Sequence, residues 1–220
     1  MKLLIADDHP IFRKGLIDIL EIAFPKITII ECKDGKEALM KIKKEKPSIS
    51  ILDINMPELS GLEVSSIVTK EKLPTRVIIL TMYRDREMVK KAMKTGAYSY
   101  ILKDFAATEI IDCIEKVSAD KKYVSTELQA FYLDFVQEDK KKQEMLNKLK
   151  KLSQAELKTL KLVCNHKSTK EIAEVLFLSD KTIENYRSKI CQKLQLPPRN
   201  NSLMLWISEN KDLLLEISEF

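Results

Sequence analysis

The chain has 220 residues, 45% of them apolar, which fits one large or two small folded domains and excludes general disorder. Its four glycines, at 15, 35, 61 and 96, are too far apart for G-x-G-x-x-G or G-x-x-x-x-G-K, so Rossmann and P-loop nucleotide sites are excluded. The net charge of +5 is uneven: residues 1–120 carry 20 basic against 19 acidic side chains, whereas residues 148–208 carry 12 against 5. That basic third suggests a polyanion partner, with a solvated lysine surface as the alternative.

Five short apolar runs punctuate the first 120 residues, at Lys2–Ala6, Ile27–Cys32, Ile49–Asp53, Val77–Leu80 and Tyr98–Leu102. Each has strand length and is apolar nearly throughout, the pattern of a parallel strand buried on both faces. Helical spacing follows each run. Ile11, Leu16, Ile19, Leu20 and Ala23 form the first apolar face; Ala38, Leu39 and Ile42 the second; Val64, Ile67 and Val68 the third. Met88, Val89, Ala92 and Met93 form the fourth, and Ile110, Ile111, Ile114 and Val117 the fifth. Five βα units predict a doubly wound five-stranded parallel sheet, flavodoxin-like in class, over residues 1–120. Residues 121–150 read as a linker: a helix carrying Leu128, Phe131, Tyr132 and Phe135, then a wholly polar connector, Gln137–Gln143. From 151 to 220 only helical patterns occur. Ser153 with Glu156, and Ser168 with Glu171, have capping-box spacing, and Ser179-Asp180 is a further N-cap signal. Three helices of about 10–15 residues are predicted from those starts. A fourth is predicted from Asn200 to about Asn210, giving an all-α four-helix domain.

The four cysteines, at 32, 113, 164 and 191, form no C-x-x-C pair, and the two histidines are 157 residues apart. This argues against structural zinc and for buried thiols in a reducing cytosol. No apolar run approaches the ~18–20 residues of a membrane span. The N-terminus turns acidic at Asp7 and Asp8, too soon for a signal peptide. The expected location is the cytoplasm, with no membrane partner.

Asp7 and Asp8 follow the first strand, Asp53 ends the third, Thr81 follows the fourth and Lys103 the fifth. In an open parallel sheet the carboxyl ends of the strands line one crevice, so these five residues should converge. Three carboxylates in one pocket repel one another unless protonated or shared with a cation. Mg2+ suits such oxygen ligands and leaves room for a phosphate. A carboxylate nucleophile, with Lys103 and Thr81 offsetting charge, would make a phosphoryl-transfer site. His9 reads as a loop or helix-start residue. Met82 and Tyr83 either screen a phosphoryl group from water or pack at the surface.

With Asp7-Asp8, Asp53-Ile54-Asn55-Met56-Pro57 leading to Gly61, Thr81, Tyr100 and Lys103, residues 1–118 resemble a response-regulator receiver domain. That resemblance implies Asp53 as phosphoacceptor, Asp8 as a direct Mg2+ ligand and Asp7 acting through water. It implies the Asn55 backbone carbonyl as a further ligand, and Thr81 and Tyr100 as the switch pair. Asp104, where many receivers have proline, resembles the NarL/FixJ group.

In the helical third, two short helices joined by Phe177–Asp180 fit a helix-turn-helix. Ile183, Tyr186, Ile190 and Leu194 share a core-facing stripe, leaving Lys181, Glu184, Asn185, Ser188 and Gln192 for a groove. A generic helical bundle is the alternative. Leu152-Ser153, Glu156, Leu160, Lys170-Glu171-Ile172-Ala173, Leu176, Ser179, Thr182-Ile183-Glu184, Tyr186, Ile190 and Lys193-Leu194 resemble a LuxR-type DNA-binding domain. The resemblance implies Lys181–Leu194 as recognition helix in the major groove. Lys170, Lys181, Lys189 and Lys193 are the expected phosphate contacts, with Thr182 beside them. Asn185 is expected to read a base, with Glu184 and Ser188 beside it. His166, Ala155, Glu184 and Lys189 depart from the usual pattern and bear on target choice.

The expected function is a phosphorylation-switched transcription factor of the NarL/FixJ type, not an enzyme beyond turnover of its own phosphoryl group. Its expected partners are a sensor histidine kinase, promoter DNA and a second copy upon phosphorylation. A phospho-switched adaptor without DNA binding is an alternative. An aspartyl-phosphate phosphohydrolase is less suited, since Asn55 stands where its acid/base aspartate belongs.

Overall fold

A computed structural model describes residues 1–199 and 201–216. The chain divides after Phe135 into two compact units. In the first, β1 (Lys2–Ala6), α1 (Pro10–Ala23), β2 (Thr28–Cys32), α2 (Gly35–Glu45), β3 (Ile49–Asp53) and α3 (Gly61–Lys70) alternate along the chain. They continue through β4 (Arg76–Thr81), α4 (Arg86–Lys94), β5 (Ser99–Leu102), α5 (Ala106–Ser118) and β6 (Tyr123–Val124). The sheet order is β2-β1-β3-β4-β5-β6, and every pairing is parallel. Successive strand residues point to opposite faces. Leu3, Ile5, Ile51 and Ile78 therefore meet α1 and α5, while Leu4, Ala6, Leu52 and Ile79 meet the helices of the other face. The order reverses at β1, so the carboxyl ends of β1 and β3 open a crevice.

The sheet has six strands rather than five. Tyr123 and Val124 pair with Ser99 and Tyr100, and the Ser125 amide donates to the Tyr100 carbonyl at 2.9 Å. Two residues are too few to show a strand period, so this edge was invisible in the sequence. Ile11 also departs from expectation, being 90% exposed. It lies about 140° around the helix from Leu16, so the core takes Leu16, Ile17 and Leu20 instead.

The polar run Gln137–Gln143 is helix, not connector. After a 3₁₀ turn at Thr126–Leu128, α6 runs from Gln129 to Leu149. Gln, Glu and Lys are good helix formers even without an apolar stripe. Its Phe131, Tyr132 and Phe135 pack on the core of the first unit, while Met145 and Leu149 belong to that of the second.

The second unit continues with α7 (Gln154–Cys164), α8 (Thr169–Leu176), α9 (Asp180–Lys193), α10 (Ser202–Glu209) and α11 (Lys211–Glu216). Ser153 and Ser168 close the two capping boxes, and Ser179 caps α9 by accepting from the Thr182 amide. At eight residues α8 is shorter than expected. Asn200, the expected start of the fourth helix, lies outside the described residues. A fifth helix, α11, follows because Asn210 interrupts the pattern, its side chain donating to the Trp206 carbonyl at 2.8 Å. Ile172, Ile183, Ile190, Leu160 and Leu203 form the core.

Candidate functional site

Asp7 and Asp53 are nearly buried at the ends of β1 and β3, at 1% and 4% exposure. The loop after Asp53 closes tightly because residue 61 is glycine. An added Cβ there would sit 2.2 Å from the Asp53 carbonyl oxygen. Lys103, beyond β5, places its Nζ 2.8 Å from Asp53 Oδ2 and 2.8 Å from Asp7 Oδ2. The Phe12 ring lies 4.9 Å from that ammonium and helps to hold it. Burial pushes the Asp53 carboxyl above its ordinary value, and Lys103 only partly offsets this. Burial opposes the charge on Lys103, but Asp53 and Asp7 outweigh it and hold the ammonium above its ordinary value.

Asp8 is more exposed, and the structure adds a residue that sequence reasoning set aside. His9 Nδ1 lies 3.1 Å from Asp7 Oδ1 and 2.8 Å from Asp8 Oδ1. Its direct adjacency to the two aspartates was the only signal. The donor atoms of Asp7, Asp8, His9 and Asp53 all lie within 4.8 Å of one another. Asp7 Oδ2 is buried and makes no aligned hydrogen bond; its contact with Lys103 is charge to charge. Three carboxylates whose oxygens converge in one pocket fit a hard divalent cation.

Thr81 is buried, and its hydroxyl accepts from the Tyr83 amide at 3.2 Å. Tyr100 lies beside it on β5. It is fully buried, pointing inward, with its hydroxyl donating to the Tyr83 carbonyl at 2.9 Å. Burial pushes its phenol well above the ordinary value. The inward pose follows from the apolar residues around the ring and from a main-chain acceptor within reach. The Tyr83 hydroxyl meets the Asn55 side-chain amide at 3.2 Å, across the loop beyond Asp53.

In the second unit, α8, the turn and α9 form the helix-turn-helix. Phe177 turns the chain in the left-handed region, φ 55°. Ile183, Ile190 and Leu194 are buried and Tyr186 is half-buried, while Lys170, Lys181, Glu184, Asn185, Ser188 and Lys189 are exposed. Thr182 is half-buried, its hydroxyl 2.8 Å from that of Ser179. Lys181 pairs with Glu184 at 3.1 Å, and the Ser188 hydroxyl donates to the Glu184 carbonyl. Lys193 is different from the other expected phosphate contacts. Its Nζ lies 2.6 Å from Glu156 Oε2, a carboxylate whose side chain is 4% exposed. Its ammonium is thus paired with a buried carboxylate of its own domain, while its side chain stays 38% exposed.

A family model described as the response regulator receiver domain matches residues 3–115, and one for bacterial regulatory proteins of the luxR family matches residues 150–205. The oxygen regulatory protein NreC of Staphylococcus carnosus is 34% identical over 199 residues, spanning 89% of this chain and 92% of that protein. The transcriptional regulatory protein LnrK of Bacillus subtilis is 30% identical over 207 residues, 92% of this chain and 94% of that protein. A crystal structure of a LuxR-family two-component response regulator from Aurantimonas sp. SI85-9A1 matches with a TM-score of 0.57 and 25% identity, over 60% of this chain and 95% of that one. With a receiver fold, a convergent acidic pocket and a helix-turn-helix in one chain, the protein belongs to the two-component response regulator transcription factors of the NarL/FixJ type, in which a receiver is joined to a LuxR-type DNA-binding domain.

Proposed function

We propose that Asp53 accepts a phosphoryl group from a phosphohistidine of a sensor kinase in the cytoplasm, and that the phosphorylated chain pairs with a second copy on promoter DNA. The observation that carries this reading is the single buried carboxylate at the end of β3, 2.8 Å from the Lys103 ammonium and inside the Asp7–Asp8–His9 cluster. An Asp53 oxygen attacks phosphorus, the donor P–N bond breaks and the imidazole leaves. Lys103 offsets charge on the phosphoryl oxygens, and the Thr81 hydroxyl hydrogen-bonds one of them. Asp8, Asp53 and the Asn55 carbonyl would hold Mg2+, with Asp7 acting through water. When bound, the ion neutralises charge on the transferring group.

On DNA, α9 enters the major groove. Lys170, Lys181, Thr182 and Lys189 contact phosphates, Asn185 reads a base, and Glu184 and Ser188 bias the choice of sequence. Acetyl phosphate with Mg2+ should label the wild type and leave Asp53→Asn unlabelled. Undiminished label on that variant overturns the assignment.

A further inference from the structure

The parallel sheet that gathers carboxylates at one end gathers lysines at the other. The loops that enter β2, β3, β4 and β6 carry Lys26, Lys46, Lys72 and the pair Lys121-Lys122. All five are exposed. In the sheet order β2-β1-β3-β4-β5-β6 they form a row across the amino-terminal end of the strands. At about 4.8 Å per strand the row is about 24 Å long. The acidic residues beside it are paired with other cations. Glu45 lies 3.1 Å from Lys2, Glu71 2.7 Å from Lys43 and Asp120 3.1 Å from Arg76. Among the described residues, the five lysine side chains make no ion pair or hydrogen bond.

A general excess of lysine does not explain the row, since residues 1–120 balance 20 basic against 19 acidic side chains. Helix dipoles favour cations at a helix C-terminus, but only within its last turn. Lys26 lies three residues beyond α1, and Lys121 and Lys122 lie three and four beyond α5. Lys46 and Lys72 adopt the left-handed region, at φ 48° and 53°, where glycine is the usual and less strained residue. Resting on the reading that the helical unit binds DNA, we propose that this lysine row is a second DNA contact, gripping the phosphate backbone that flanks the site held by α9. A row of about 24 Å faces about seven base pairs of duplex. Once α9 is bound, the receiver is tethered to the same duplex, so individually weak contacts add to the affinity. Phosphate contacts carry no sequence information, so the row strengthens binding without changing the choice of site.

The test uses the full chain and two duplexes carrying the same site, selected from a random library, one of about 20 base pairs and one of about 40. The wild type should bind the longer duplex about tenfold more tightly, with a log–log salt slope steeper by about 3. In Lys26→Gln/Lys46→Gln/Lys72→Gln/Lys121→Gln/Lys122→Gln both differences should collapse, while binding to the short duplex stays as in the wild type. Lys46→Gly/Lys72→Gly should flatten the slope on the longer duplex by about 2. Glycine relieves the left-handed backbone there, so the thermal transition of this variant should not fall, which separates lost charge from lost folding. A length effect that is equal in the wild type and the five-residue variant overturns the proposal. So does wild-type binding to phosphatidylglycerol vesicles that the variant loses, with no length effect on DNA, since the row then serves a lipid surface. A wild-type chain that binds neither duplex overturns the DNA-binding reading and, with it, this one.

Discussion

Lys193, in the last turn of α9, and Glu156, in the first turn of α7, form an ion pair of 2.6 Å around a carboxylate that is almost fully buried. The same carboxylate accepts from the Ser153 amide at 2.7 Å. One side chain therefore closes a helix cap and ties it to the end of α9.

Removing one partner of a fully buried pair costs about 3–5 kcal/mol. Lys193 is 38% exposed, so solvent screening reduces the expected loss for Lys193→Ala to about 1–2 kcal/mol. Thermal unfolding of the full chain should show it as a lowered transition of the helical unit. An unchanged transition would show that the pair adds nothing to the stability of the unit.

The pair also gives the helical unit a pH dependence. Burial alone would raise the Glu156 carboxyl, but Lys193 and Ser153 outweigh it and hold it below the ordinary 4.5. A carboxylate depressed in the folded state contributes stability above its unfolded value and loses it as the pH falls through the folded one. Stability should therefore decline from about pH 4.5 downward. In Glu156→Gln that decline should flatten, measured as the change in denaturation midpoint with pH.

Lys103 competes with any cation for Asp7 and Asp53, to each of which it lies 2.8 Å away. Lys103→Met should bind Mg2+ about tenfold more tightly in calorimetry, because a positive charge leaves the pocket. The same variant should take the phosphoryl group from acetyl phosphate at least about tenfold more slowly, because charge on the transferring oxygens is no longer offset. Weaker Mg2+ binding would show that the lysine organises the carboxylates rather than competing for them.

Thr81→Ala removes the hydroxyl that accepts from the Tyr83 amide. The variant should still be phosphorylated, since Asp53, Lys103 and the acidic cluster are intact, but should form few phosphate-dependent dimers in sedimentation. Normal dimers would sever Thr81 from the switch.

Asn185 and Lys189 are both exposed on α9, and they should fail differently. Asn185→Ala should cost about 1–3 kcal/mol and relax specificity at one base pair, because its amide can pair bidentately with adenine. Lys189→Ala should weaken all sequences alike and flatten the salt dependence by about one released counterion. Binding of both variants to selected and scrambled sites across a salt series separates the roles.

Much of this was legible in the chain itself. Parallel strands buried on both faces must be apolar throughout, and β3, Ile49–Asp53, stands where its run of Ile and Leu placed it. Strand-end topology then brought Asp7, Asp53 and Lys103 together with no proximity in sequence, and the serine caps of α7, α8 and α9 announced themselves by local spacing. These features depend on periodicity and on short-range hydrogen bonds, which a sequence carries. Tertiary structure decided the rest. The β6 edge exists because Tyr123 and Val124 meet a strand about 24 residues earlier. Tyr100 is inward because an acceptor on Tyr83 comes within reach. Lys193 looked like every other lysine of α9 until folding placed a carboxylate from α7, 37 residues earlier, beside it, and a partner so far away in the chain leaves no local spacing for a sequence to show.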